Sequence, residues 1–585
     1  MKYKELQALS LRRFRIPNEH LIRNILRSFT IAEKAVFYFF VTLFILSGIN
    51  ILWQVNSAFL VEVPTNGGIL REGVVGNPRF INPVLAISEA DKNLVTLIYS
   101  GLVRITPEGN VENDLADKLT ISDDRLTYTV QIAEGARFHD GTPVTADDVI
   151  FTIDKIVDPS IKSPKRGNWE GVAVEKVDER TATFTLRQAY TPFIYNLAIG
   201  ILPKNIWKNV SNDEFSFSQF NTLPIGSGPY KVDLVERNSG GIPNFYQLVP
   251  FENIFSQAPF IKNLVFKFYP SETALIEAYN GGEVESLGGI SPENTLGLET
   301  GNSRIISSPL RRVFAVFFNQ SQSKVLLNKE VRQALNLVSP KEEIVEKVLG
   351  GYGTAIDSPL PAGIYSWTSS SANKLSFDER LVVAKELLAK AGWQPSKETG
   401  ILEKKSKSDT MTLSFSISTG DAPELRAVAS ELVSAWKKLG AQVNVLVFET
   451  GDLNQNVIRP RNFDALLFGE VVGRDTDLYP FWHSSQRTDP GLNIALYANS
   501  RADKFLENAR SASDPEVIEK NYKQFVDELR ADVPAIFLYT PGFLYVVPKK
   551  MEMINLGSLT VPQDRFLGVR DWFIETDRVW KIFVN

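Results

Sequence analysis

The residues best placed to do chemistry lie in "GARFHDGTPVTADDVIF", Gly135–Phe151. His139 stands beside Asp140, and a carboxylate pair, Asp147–Asp148, follows a few residues later. Imidazole and carboxylates this close could bind a metal or exchange protons with a substrate. They could equally be a turn followed by a capped helix, and the local pattern favours that reading. Asp-Gly followed by Thr-Pro is turn chemistry, in which glycine supplies positive φ and proline fixes the next bend. Thr145 then serves as N-cap, with Asp147 and Asp148 at the second and third helical positions. There they accept unpaired backbone N–H groups and complement the helix dipole. Val149, Ile150, Ile153 and Ile156 form the buried face behind them. The acidic pair thus has a structural duty, and His139 is expected to be a packed or hydrogen-bonded turn residue.

The rest of the chain is poor in catalytic groups. Its 585 residues include no cysteine and three histidines, His20, His139 and His483. Disulfides, thiolate–metal sites and cysteine nucleophiles are excluded, and a histidine-rich metal centre is not expected. No G-x-x-x-x-G-K-[ST], H-E-x-x-H or G-x-S-x-G occurs. The glycines of "PIGSGPY" (Pro224–Tyr230) read as a tight turn where two segments approach closely, not as a dinucleotide loop. A net charge of −5 makes no general case for nucleic acid. The expectation is no catalytic residue, no metal and no cofactor. The serines, lysines and carboxylates of a minimal hydrolase are too abundant and unspaced to be read either way.

A chain of 585 residues exceeds one core, so two or three domains are expected. "RLTYTVQI" (Arg125–Ile132) alternates as a half-buried strand, and so does "MTLSFSIS" (Met411–Ser418). Glu424–Leu439 carries apolar residues at helical spacing and is closed by Gly440. "QVNVLVF" (Gln442–Phe448) returns as a strand, and "FDALLF" (Phe463–Phe468) reads as a buried one. That order argues for an α/β lobe with parallel pairing. Ser339-Pro340-Lys341-Glu342 reads as a capping box opening a helix that Gly350 ends. Ser376-Phe377-Asp378-Glu379 opens another, ended by Gly392.

No charged residue occurs from Ala35 to Val61, and about 20 apolar residues suffice to cross a bilayer. The flank before it carries eight basic against three acidic residues, and the next basic residue after it is Arg71. By the positive-inside rule, residues 1–34 form a cytoplasmic tail, 35–56 an uncleaved anchor, and the remainder lies outside with a net charge of about −10. Leu21, Ile22, Ile25, Leu26 and Phe29 could also form a helix lying on the inner leaflet.

Several long motifs then occur in a distinctive order: Gly101–Phe151, "PIGSGPYKV", Val331–Pro361, Asp378–Trp393, "DTDLYPFWHSSQ" and "NYKQFVDELRADVPAIFLYTP". Together they resemble the family 5 extracellular solute-binding proteins, which serve peptide ABC importers, over about 500 residues. The resemblance implies two α/β lobes of the type II periplasmic-binding-protein kind, closing on a two-segment hinge, with an extra domain inserted in the first lobe. It places lobe I at residues 57–91, 196–310 and 498–585, the extra domain at 92–195 and lobe II at 311–497. It further implies a monomer that binds a peptide ligand and passes it to ABC permease subunits, without catalysis. A non-peptide solute or a sensor module is the alternative, and a hydrolase stands behind both.

The family's peptide binders usually hold an aspartate in lobe II that pairs with the ligand's amino group. Here the segment reads "VVGRDTDLYPFWHSSQ" (Val471–Gln486), and the expected position falls on Arg474, with Asp475 next to it. If Asp475 fills the role, an amine-terminated peptide fits. If Arg474 faces the cleft, a carboxylate or acidic ligand fits. Arg474 and Asp477 could instead pair with each other on a loop. Tyr479, Trp482 and Trp367 are candidate cleft walls or, equally, lobe packing.

Overall fold

The computed structural model describes residues 19–252, 257–299, 301–368, 375–406 and 410–584. The chain divides into two units, residues 66–575 and residues 1–65 with 576–585.

In the larger unit, one apolar strand organises everything else. Ala535–Pro548, "AIFLYTPGFLYVVP", is buried along nearly its whole length. Its first part pairs with Arg312–Phe318 and its last part with Ser303–Pro309, all antiparallel. A twelve-stranded sheet thus runs through it without a break. On one side lie Ser286–Gly288, Gly67–Val75, Ile261–Tyr269, Pro243–Pro250 and Tyr230–Arg237; on the other, Arg312–Phe318, Ala465–Val471, Ser414–Gly420 and Gln442–Phe448. Pairing is parallel between Gly67–Val75 and Ile261–Tyr269, and between Ser414–Gly420 and both of its neighbours. The two halves of the sheet are the cores of two lobes.

In the second lobe, period-two alternation sorts side chains onto two faces. Val316, Phe318, Ile417 and Leu467 join one core, while Ala315, Phe317, Leu466 and Phe537 join another. The helices Lys329–Val338, Phe377–Lys390 and Pro423–Leu439 cover the first face. Ser500–Ser511 and Pro515–Asp532 cover the other, burying Ala502, Leu506, Tyr522 and Phe525 there. These two helices were expected in the first lobe; their apolar faces place them in the second. The return to the first lobe comes only after Pro541, where Phe543, Tyr545 and Trp572 enter its core.

The segment inserted in the first lobe forms a four-stranded antiparallel sheet of Ala116–Ile121, Thr127–Ile132, Thr181–Thr185 and Ala173–Lys176. Helix Ala146–Val157 packs on it through Val149, Ile153 and Ile156. Its opening is the reciprocal cap read from the sequence: the Thr145 N–H and hydroxyl both donate to Asp148, at 2.8 and 2.7 Å. Asp147 pairs with Lys176 and Lys204 on the surface. Ser376 and Glu379 form the second expected capping box. The third does not form. Ser339 ends the helix Lys329–Val338, its hydroxyl donating to the Leu335 carbonyl at 2.8 Å, and Pro340 precedes a separate short helix, Lys341–Lys347.

The smaller unit contains the apolar helix Ile31–Phe59, opened by a capping box of Thr30 and Glu33 and with no buried residue. It starts four residues before the expected anchor and ends three after it. By length and composition it is able to cross a membrane. The strand Leu60–Thr65 follows and pairs with Glu575–Trp580. A short helix, Glu19–Ser28, precedes the long one. Lys2, Lys4, Arg12, Arg13 and Arg15 of the basic tail lie outside the described residues.

Candidate functional site

His139 is a structural residue. Its Nδ1 accepts from the Gly226 N–H at 3.3 Å and its Nε2 donates to the Gly228 carbonyl at 3.1 Å, which fixes the neutral tautomer. Burial pushes the imidazole down to about 4. The ring thereby holds "PIGSGPY" against the end of helix Glu89–Ile98, where the Gly228 N–H donates to the Ile98 carbonyl. A side chain at Gly226 or Gly228 would collide with backbone at Ile98.

The charged groups that do face open space gather where both lobes and the inserted segment meet. The loop after strand Ala465–Val471 is held at its base by the Val472 N–H donating to the Arg311 carbonyl at 2.8 Å. Thr476 sits in the left-handed region at φ 56°, and its hydroxyl accepts from Arg311 Nη2 at 2.6 Å. This sharp bend turns Arg474 and Asp475 towards the first lobe. Arg474 pairs with Asp564 at 2.6 Å, each largely buried. Asp564 belongs to the turn Pro562–Gly568 of the first lobe, and its Oδ2 also accepts from the N–H groups of Thr560 and Val561. Asp475 accepts from the hydroxyl of Tyr190 at 3.1 Å. Tyr190 comes from the inserted segment, and its phenol is raised by burial and by Asp475.

Asp477 takes a different part. Its Oδ1 accepts from the Tyr479 N–H at 3.0 Å and its Oδ2 meets Arg510 Nε at 3.2 Å. Burial raises this carboxyl while Arg510 opposes the rise. The Arg510 guanidinium lies 4.5 Å over the Tyr479 ring and 5.4 Å from that of Tyr190. Asp477 therefore anchors the loop from beneath, and the pairing of Arg474 with Asp477 that the sequence allowed is not made.

A cavity of about 1120 Å³ opens between these groups. Arg474, Asp475, Tyr479 and Arg510 line it from the second lobe, Tyr190 from the inserted segment, and Lys92, Lys165, Gln563 and Asp564 from the opposite side. Burial, with Lys92 nearby, lowers the Lys165 ammonium. Among the described residues neither lysine forms an ion pair, and no group of three or more His, Asp or Glu side chains is gathered as metal ligands would be.

Two expected walls are elsewhere. Trp482 is 1% exposed and packs with Phe317, Tyr497 and Phe537 inside the second lobe. Trp367 stacks on Tyr365 with centroids 5.3 Å apart and donates from Nε1 to Glu519 at 2.9 Å, away from the cavity lining. Tyr190, Lys92, Lys165, Arg510 and Asp564 were not singled out from sequence. They come from separate stretches of the chain, Tyr190 lying 285 positions from its partner Asp475, and no local spacing marks them.

Residues 110–489 match the family described as bacterial extracellular solute-binding proteins, family 5 middle. The oligopeptide-binding protein AppA of Bacillus subtilis (strain 168) is 29% identical over 521 residues, spanning 87% of this chain and 92% of AppA. The structure of AppA in complex with a nonapeptide matches 88% of this chain and 100% of its own at a TM-score of 0.65, with 28% identity. NikZ from Campylobacter jejuni, in complex with Ni(L-His), matches 86% of this chain and 99% of its own at a TM-score of 0.65, with 26% identity.

Proposed function

The chain belongs to the bacterial extracellular solute-binding proteins of family 5, and from that footing we propose that it captures a peptide between its lobes for an ABC import permease. Helix Ile31–Phe59 tethers it to the membrane, with the lobes outside the cytoplasm, and the protein acts as a monomer by binding and closure, without chemistry. The oligopeptide and nonapeptide named for the AppA comparisons support the ligand class.

The single observation that carries the reading is Asp475. It lines the cavity, and among the described residues it forms no ion pair. Of its cationic neighbours, Arg474 is engaged by Asp564, Arg510 by Asp477, and Arg311 donates to the Thr476 hydroxyl. A carboxylate whose hydrogen-bond partners are the Tyr190 hydroxyl and, at 3.5 Å, the Asp477 N–H, both neutral, is completed by an ammonium group, which the amino end of a peptide supplies. Arg474, closed onto Asp564, is not offered to a ligand carboxylate. This favours the amine-terminated ligand over the acidic one. Ligand enters when the lobes part, and closure brings Asp475 and Tyr190 together around its amino end.

The test is native mass spectrometry and calorimetry on the full chain in nanodiscs, with short peptides carrying free or acetylated amino ends. Free-amine peptides are expected bound intact, with acetylation or Asp475→Asn weakening them about tenfold or more. Equal binding of acetylated peptides would remove Asp475 from the role. No retained peptide would point to another solute, and cleaved products to hydrolysis.

A further inference from the structure

The smaller unit carries an apolar surface that peptide capture does not use. Strand Glu575–Trp580 pairs with Leu60–Thr65, and Arg578 joins Glu62 at 3.1 Å. At the end of this strand the Trp580 Nε1 donates to Asn56 Oδ1 at 2.9 Å. Asn56 is in the last turn of helix Ile31–Phe59. The segment that follows turns as a short helix, Lys581–Phe583. Trp580, Ile582, Phe583 and Val584 are 46%, 70%, 77% and 43% exposed.

The level of these residues relative to a bilayer follows from the helix. Lys34 is the last charged residue before the apolar run. Asn56 lies 22 residues further on, about 33 Å along the axis at 1.5 Å per residue. That distance exceeds a hydrocarbon core of about 30 Å and falls short of the 40–45 Å that includes the headgroups. Asn56, and Trp580 bonded to it, therefore stand in the headgroup layer, where tryptophan is favoured because its ring is apolar and its N–H polar. Next to them is a lysine among four exposed apolar side chains, the composition of an interfacial segment. The helix carries the same surface onward, with Trp53 67% and Phe59 53% exposed.

We propose that residues Trp580–Val584 insert into the lipid interface beside the end of helix Ile31–Phe59, forming a second, peripheral membrane contact. The partner is a lipid surface, and the patch is continuous with the face that the helix itself offers to lipid. The inference rests on the membrane tether proposed above and is independent of the ligand.

The chain has no cysteine, so a single introduced thiol can report depth. Phe583→Cys, Phe44→Cys and Leu296→Cys full chains are labelled with an environment-sensitive fluorophore and placed in nanodiscs of phosphatidylcholine and phosphatidylglycerol. Lipids carrying nitroxides at shallow or deep positions are then added. The expected result is a blue-shifted Phe583 probe quenched by shallow nitroxides, a Phe44 probe quenched by deep ones, and an unquenched probe at Leu296, which is 96% exposed in the larger unit. A Phe44 probe quenched beside a Phe583 probe that behaves like Leu296 overturns this inference and leaves the tether standing. A Phe583 probe that is blue-shifted but unquenched overturns it as well, because protein then covers the segment. An unquenched Phe44 probe removes the tether and this inference together. Because Phe583 is exposed, its replacement leaves the core intact. Trp580→Cys, labelled in the same way, repeats the measurement at the other end of the segment.

Discussion

At the scale of single residues, His139 and three carboxylates, Asp140, Asp147 and Asp148, have the composition of a catalytic group, and the structure makes them scaffolding. His139 is the clearest case, because its neutral form is required by the Gly226 N–H that it accepts. Its folded value of about 4 lies below the usual 6.5. A histidine depressed in the folded state adds stability that is complete above about pH 6.5 and is lost as pH falls towards 4. Thermal unfolding from pH 7 to pH 4 is expected to show a loss of up to about 3 kcal/mol from this group. His139→Gln is expected to be less stable at pH 7 and to show a shallower decline on acidification; an unchanged slope would show that the ring does not titrate there. Tyr190 is the counterpart at the cavity. Removing its hydroxyl in Tyr190→Phe is expected to weaken binding of amine-terminated peptides by about 1 kcal/mol, read by calorimetry. The cap formed by Thr145 and Asp148 was legible because both partners lie within one helical turn. Tyr190 was not, since its partner Asp475 is 285 positions away and only the folded chain brings them together.

At the scale of elements, the readable ones had a repeating pattern or a local cap. The strand Thr127–Ile132, the helix Pro423–Leu439 with Gly440 left-handed at its end, and the box at Ser376 all belong here. Ser339 misled because its hydroxyl had two local uses, capping forwards or bonding back to Leu335, and tertiary packing chose the second. The pair Arg474–Asp564 links an element of one lobe to an element of the other. Arg474→Ala is expected to shift the ligand-free protein towards open forms, read as a larger radius of gyration in X-ray scattering. Peptide affinity should fall about fivefold, as for an ion pair of about 1 kcal/mol. An unchanged radius and affinity would show that the pair follows closure without supporting it. The close packing of the "PIGSGPY" turn on Ile98 sets a second expectation: Gly226→Ala should lower the melting temperature sharply, whereas Gly76→Ala, with nothing near its Cβ, should cost only backbone strain.

At the scale of the molecule, the first lobe is tied together by a buried charge. Arg565 meets Glu72 at 3.0 Å with both side chains about 1% exposed. Tyr545 and Ser286 donate to the same carboxylate, and Arg565 Nη1 donates to Asn93. Five elements, from Gly67–Val75 to Pro562–Gly568, meet at this one pair. Arg565→Met would strand the carboxylate, and a loss of about 3–5 kcal/mol in urea unfolding is expected. The apolar periodicity gave away one α/β lobe with its parallel strands, and the resemblance to the family implied two lobes, but neither marked where the chain changes from one to the other. Ser500–Ser511 and Pro515–Asp532 carry ordinary amphipathic patterns that fit either core, so their allegiance had no local signature.

That exchange of allegiance along Ala535–Pro548 sets a timetable for biosynthesis. Both halves of the great sheet wait for the same late strand, and the first lobe also waits for Trp572. Translation and secretion run from the amino end, so well over four hundred residues emerge before either core can close. Chains arrested before Ala535 are expected to be degraded throughout by added protease, and chains that include Trp572 to resist it. A protease-resistant first lobe in the shorter chains would contradict this. A protein whose sheet is completed by a strand that begins only at Ala535 has to be guarded outside the cytoplasm until nearly the whole of its message has been read.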